Sequence, residues 1–217
     1  MIQGDLVAYF ESGNTTRSVQ TITYNKEDPG GKSYGEYQIS ARSGTLKKYL
    51  SWSTFGQKFK EVNPASKEFD EIWIHIAKKA PKAFAKDQYD FIYATHFVPV
   101  QNAAKQLGFN VNSFAINEAL FSIGVQHGRY KTILQEASRK RTVGIPTIEN
   151  DIDCLYDART EYVKRLGLPE KISSAIIHRY VLERYIVSEI AKVLDPYVGN
   201  DSSMKLKTLK LASFLPL

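Results

Sequence analysis

The chain has 217 residues, of which 43% are apolar and 24% charged, and its mean hydropathy is −0.32. That composition fits an ordinary domain able to bury its own core, and no apolar run approaches the ~18 residues a membrane span needs. A net charge of +6 and a pI near 9.2 admit nucleic acid, an anionic membrane or an anionic wall as partner, and the single cysteine, Cys154, excludes an internal disulfide.

The first periodic segment, Asp5-Leu6-Val7-Ala8-Tyr9-Phe10-Glu11-Ser12, is predicted to be a short helix with Asp5 as N-cap and Gly13 just past its end. Residues 14–40 change character to Thr, Ser, Gly and Tyr. There, Thr21-Ile22-Thr23-Tyr24 and Tyr37-Gln38-Ile39 read as short strands around a turn at Asp28-Pro29-Gly30-Gly31. After Gly44 the pattern is helical almost to the end. Helices are expected near 45–51, 66–78, 82–107, 114–125, 129–139, 149–165 and 170–194, with Pro99 expected to kink or end the longest stretch. The sum is an α+β chain, mainly α, with a small β element beside the first helix. Residues 1–165 are expected to form the core, and 166–217 a helical extension packed on the same domain.

Cleaving a glycosidic bond usually takes two carboxyl groups, one protonated to donate to the leaving oxygen and one to activate a water or steady the cation. Glu11 suits the acid. It falls in the last turn of its helix, where the macrodipole disfavours negative charge, and Tyr9 and Phe10 adjoin it; both effects are expected to raise its pKa. Asp28 follows in Asp28-Pro29-Gly30-Gly31-Lys32-Ser33-Tyr34-Gly35, where it also reads as an Asx-type turn residue. Ser33 adds a hydroxyl to this loop. Beyond it, Tyr34, Tyr37 and Gln38 offer the aromatic faces and amides that bind sugars.

Phe10-Glu11-Ser12-Gly13 followed by Asp28-Pro29-Gly30-Gly31-Lys32-Ser33-Tyr34-Gly35-Glu36-Tyr37-Gln38-Ile39 resembles the N-terminal signature of a lysozyme-like group of muramidase domains. That group occurs in phage endolysins, phage tail hydrolases and type VI secretion spike effectors. The Glu-Ser and Gly-x-x-Gln pieces are also similar to goose-type lysozymes and soluble lytic transglycosylases, and the Asp-x-x-Gly-x-Ser-x-Gly piece to a chitosanase loop. Three later stretches match in the same order: Gln88–Ile92 with Thr95-His96-Phe97-x-Pro99-Val100, then Ala119–Gly128, then Tyr156-Asp157-x-Arg159-x-x-Tyr162. The similarity covers roughly residues 5–165.

The resemblance implies a lysozyme-like fold with a cleft between the β element and the helical body. It implies Glu11 as acid, Asp28 as base and Ser33 as a holder of the attacking water, in an inverting muramidase that cuts between N-acetylmuramic acid and N-acetylglucosamine. Pro29 and Lys32 depart from the chitosanase loop, which argues against chitosan as substrate. Ser12, Tyr34, Tyr37, Gln38, Gln126 and His127 are the expected substrate-binding residues. His127 has a second reading, as a hydrogen-bonded histidine in the cleft wall. The alternatives are a lytic transglycosylase, a chitosanase-like glycosidase, or a non-catalytic wall-binding phage structural module.

Peptidoglycan glycan strands are the expected partner, with anionic envelope polymers drawn to Arg139-Lys140-Arg141 as a further one; a monomer is expected. Nucleic acid is not, since only the charge favours it. No metal or cofactor is implied: His75, His96 and His178 lack ligand spacing, and Cys154 reads as a core residue. Met1-Ile2-Gln3-Gly4-Asp5 has no secretory-signal pattern, so delivery from the host cytoplasm to wall or periplasm is expected to fall to a holin, a phage particle or a secretion apparatus.

Overall fold

The computed structural model describes residues 2–12, 18–24, 31–141 and 147–195. Among them the chain forms α1 (Asp5–Ser12), then β1 (Ile22–Tyr24), β2 (Lys32–Tyr34) and β3 (Ile39–Ser40) in one antiparallel sheet of that order. Eight more helices follow among the described residues: α2 (Thr45–Trp52), α3 (Lys67–Lys79), α4 (Pro81–Ile92), α5 (Val98–Gln106), α6 (Phe114–Gln126), α7 (Tyr130–Lys140), α8 (Ile148–Arg165) and α9 (Glu170–Leu194). This is the mainly helical α+β class expected from the sequence. No helix among the described residues is long and apolar enough to cross a membrane.

Several helix starts carry the caps their sequences announce. The hydroxyls of Ser66, Ser113 and Thr147 accept from the backbone N–H of Phe69, Ile116 and Asn150, which satisfies donors that a helix N-terminus leaves open. Pro99 acts as expected on the stretch 82–107. α4 stops at Ile92, a π-helical turn covers Tyr93–Phe97, and α5 begins at Val98 with Pro99 in its first turn. Proline is harmless there because the N–H it lacks would have no partner inside the helix. Within the π turn, the Thr95 hydroxyl donates to the Phe91 carbonyl at 2.6 Å.

The chain divides into two compact units, an inserted one, Ala8–Thr95, and an outer one made of Met1–Val7 with His96–Leu217. The inserted unit has an aromatic core. Tyr34, Tyr49, Phe69, Trp73, Phe84 and Phe91 are buried, and Trp73 meets Phe84 edge-on with ring centroids 4.7 Å apart. The indole N–H is not left unpaired, since it donates to the Val19 carbonyl at 3.0 Å.

The outer unit is built around α6. Ala115 to Ile123 are all buried, Asn117, Glu118 and Ser122 among them, and the mostly apolar helix is packed by α5, α8 and α9. Gly124 permits a further close approach, by the π-helical turn: a Cβ there would lie 2.2 Å from the His96 carbonyl oxygen.

Candidate functional site

α1 is short, and eight residues make only a marginal helix by themselves. Its start is secured from outside. Asp5, expected as the N-cap, is instead the first helical residue, with its carboxylate accepting from the Ile2 N–H at 2.7 Å. The capping carboxylate comes from Glu118 in the middle of α6. Glu118 is fully buried and accepts from Gly4 N (2.6 Å), Leu6 N (3.0 Å) and the Gln3 side chain (2.8 Å). A negative group at this end is also favoured by the helix dipole. Gly4, at φ 93°, lets the chain run close over Phe121, whose ring would stand 2.5 Å from a Cβ there.

Glu11 lies in the last turn of α1, half-buried, in the inserted unit. Asp28 and Gly13 lie outside the described residues, as does the side chain of Ser12.

The sheet presents two chemically distinct faces. Register pairs Thr23 with Ser33 and Ser33 with Ser40, so three hydroxyl residues lie in a row across one face. Ile22, Tyr34 and Ile39 make the opposite row, and Tyr34 and Ile39 are buried. The Ser33 hydroxyl has no hydrogen-bond partner among the described residues.

Of the short strand expected at Tyr37-Gln38-Ile39, only Ile39 lies in a strand. Gly35 to Gln38 form a turn, with Gly35 at φ 75° and Gln38 at φ 49°. Gln88 of α4 holds this turn in place. Its buried carboxamide accepts from Glu36 N at 3.3 Å, and a Cβ on Gly35 would stand 2.0 Å from the same oxygen.

Two of the residues expected to contact sugar are buried in this geometry. Tyr34 is inside the core against Phe69 and Trp73, with its hydroxyl donating to Asp70 at 2.7 Å. Burial, reinforced by Asp70, pushes that phenol far above its usual pKa. Tyr37 is 2% exposed and packs near Tyr89. Neither ring is open to a polymer. Gln38 is half-exposed, with its amide nitrogen on the Gly35 carbonyl and its oxygen accepting from the Thr23 hydroxyl.

Gln126 and His127 belong to the outer unit, where a buried polar cluster organises both. Arg159 and Glu183 are completely buried and form a 2.7 Å ion pair between α8 and α9. Glu183 also accepts from Ser122 (2.8 Å), Tyr156 (3.3 Å) and Arg179 (2.6 Å). Burial works to raise the Glu183 pKa, but Arg159 and Arg179 outweigh it and hold it at about 2, so the group is ionised. The Arg159 guanidinium lies 4.1 Å from the Tyr180 ring centre and donates to the Gln126 side-chain oxygen at 2.8 Å.

His127 shares a 2.7 Å hydrogen bond with the Tyr180 hydroxyl and sits edge-on to Tyr162. It is 8% exposed, as is Ser33. Burial, with help from Arg159 and against Glu183, lowers its pKa from 6.5 to about 3. The folded state therefore keeps it neutral while the unfolded chain takes up a proton.

A consequence for stability follows from the sign of that shift. Its contribution is complete above pH 6.5 and is lost as pH falls toward about 3. The slope is at most ~1.4 kcal/mol per pH unit. The urea midpoint of His127→Gln should fall less than that of the parent across this window. Parallel declines would place the acid sensitivity elsewhere.

Glu118, Gln88 and Glu183 were missed from the sequence. The available signal was a polar residue inside an apolar helical run, as in Phe114-Ala115-Ile116-Asn117-Glu118-Ala119-Leu120-Phe121. Among the described residues, no group of three or more His, Cys, Asp or Glu is placed to hold a metal ion.

The family described as Type VI secretion system spike protein VgrG3-like, C-terminal, matches residues 3–184. The chain belongs to this family. Among curated proteins, the Type VI secretion system spike protein VgrG3 of Vibrio cholerae serotype O1 is 32% identical over 152 residues, which span 69% of this chain and 15% of that protein. Of the three settings that the sequence resemblance embraced, the spike is the one these matches support. The family match runs past residue 165 into α9 and includes Glu183, so it takes in both partners of the buried ion pair.

Proposed function

We propose that the chain is the peptidoglycan-cleaving part of a type VI spike, a muramidase acting between N-acetylmuramic acid and N-acetylglucosamine. The observation that carries this reading is Glu11, half-exposed in the last turn of α1, in the unit that also holds the hydroxyl-lined sheet. The family match, which encloses Glu11, Asp28 and Ser33, supports it. In this account the protonated Glu11 carboxyl donates to the leaving glycosidic oxygen as the bond to the anomeric carbon breaks. Asp28 takes a proton from a water that attacks the opposite face of the sugar, and the configuration inverts. Ser33 holds that water with its hydroxyl, and Ser12 and Gln38 contact the sugar. Attachment to a spike would let the secretion apparatus carry the domain to a wall outside the producing cell.

A zymogram and a turbidity assay on purified peptidoglycan test the activity. Within them, Ser33→Ala should lower kcat with KM little changed, while Ser33→Thr keeps activity, because either hydroxyl can orient water. If Ser33→Ala instead lowers only the melting temperature, the hydroxyl belongs to the sheet and not to the chemistry.

A further inference from the structure

α2 and the segment that follows it enclose a groove of about 720 Å³ in the inserted unit. Leu46 and Phe59 are buried at its base, and Lys47, Ser51, Gln57 and Lys60 stand exposed around it. No carboxylate is among its lining residues; Glu61 follows Lys60 in the chain but does not line the groove. Lys47 and Lys60 form no ion pair among the described residues, although many other cations here do.

The backbone around the groove is specifically shaped. Gly56 begins a 3₁₀ turn at Gly56–Phe59, and a Cβ on it would stand 1.8 Å from the Leu50 carbonyl oxygen, so only glycine lets the turn close on α2. Pro64, which also lines the groove, falls between Glu61 (φ 67°) and Ala65 (φ 64°), both in the left-handed region that side chains other than glycine avoid. Such conformations persist where surrounding structure imposes them, and they concentrate at ligand clamps.

We infer that this groove binds the carboxylate-bearing, stem-peptide-substituted portion of a peptidoglycan strand, as a holding site separate from Glu11. The apolar base suits the CH faces of sugars, the serine and glutamine suit hydroxyl and amide groups, and two unpaired ammonium groups match carboxylates. The polymer identity rests on the muramidase reading; the preference for carboxylates rests on the lining.

The test is co-sedimentation with purified sacculi freed of phosphate polymers, in a Glu11→Gln background so that no digestion interferes. Lys47→Gln/Lys60→Gln should weaken binding by about fivefold, the sum expected of two exposed charge contacts. Its melting temperature should be unchanged. Lys82→Gln/Lys105→Gln removes equal charge from exposed sites outside the groove and should bind as the parent does. On sacculi whose carboxylates have been amidated, the groove variant and parent should bind alike. A groove variant that binds no worse than the control pair, or a deficit that survives amidation, would overturn the proposal. Groove-dependent binding by a wild-type chain that leaves peptidoglycan uncut would instead overturn the muramidase reading and leave the groove standing.

Discussion

Glu183→Gln should destabilise the protein by about 3–5 kcal/mol, the cost of leaving a buried charge without its partner. The glutamine side chain fills the same space and can still meet Ser122 and Tyr156, so no cavity accompanies the loss. What remains is the Arg159 guanidinium, fully buried, with its countercharge gone. A chain of this size would lose roughly 10 °C in Tm. The double variant Arg159→Met/Glu183→Leu removes both charges and should recover much of the loss, because well-packed apolar residues can replace a buried pair at little cost. Urea unfolding of the parent and the two variants measures this directly. A Glu183→Gln protein as stable as the parent would show that Arg179 or an unfolded-state effect carries the balance, not the pair.

Glu11→Gln should lower peptidoglycan turnover by at least ~10²-fold while the protein stays folded. Gln keeps the size and hydrogen-bonding capacity of a protonated Glu but has no proton to give to the leaving oxygen. The N-terminal end of α1 is held by Glu118 through Gly4 and Leu6, far along the helix from Glu11, so the substitution should leave Tm and the circular dichroism spectrum as they are. Turnover near that of the parent by a folded Glu11→Gln protein would remove Glu11 from the chemistry.

The helices were legible because hydrophobic periodicity and capping residues are local signals. α6 to α9 lie within a residue or so of their expected limits, whereas Asp5, read as the N-cap of α1, is its first helical residue. The sheet was harder. Tyr37-Gln38-Ile39 reads as a strand, but a glycine at φ 75° and the carboxamide of Gln88, 53 residues beyond Gly35, bend the chain before Ile39 into a turn. That turn also decides which aromatics are inside, and this is why Tyr34 and Tyr37 looked like sugar contacts and are buried. Glu118, Gln88 and the Arg159–Glu183 pair act through partners distant in sequence, and no local pattern reveals such partners. The motif stretches Gln88–Ile92, Ala119–Gly128 and Tyr156–Tyr162 nonetheless contain Gln88, Ser122, Gln126 and Arg159, so much of what marked the resemblance is internal scaffolding.

Mass spectrometry of peptidoglycan digested by the wild-type chain, with the anomeric configuration followed by NMR, tests the proposed inverting hydrolysis most directly. A hydrolase with a positioned water gives muropeptides ending in reducing muramic acid, released with inverted configuration, and Asp28→Asn should abolish their formation. Products that are mostly anhydro-muropeptides, lighter by one water, would contradict it: the sugar's own hydroxyl would then be the nucleophile, and Asp28 would be a turn residue.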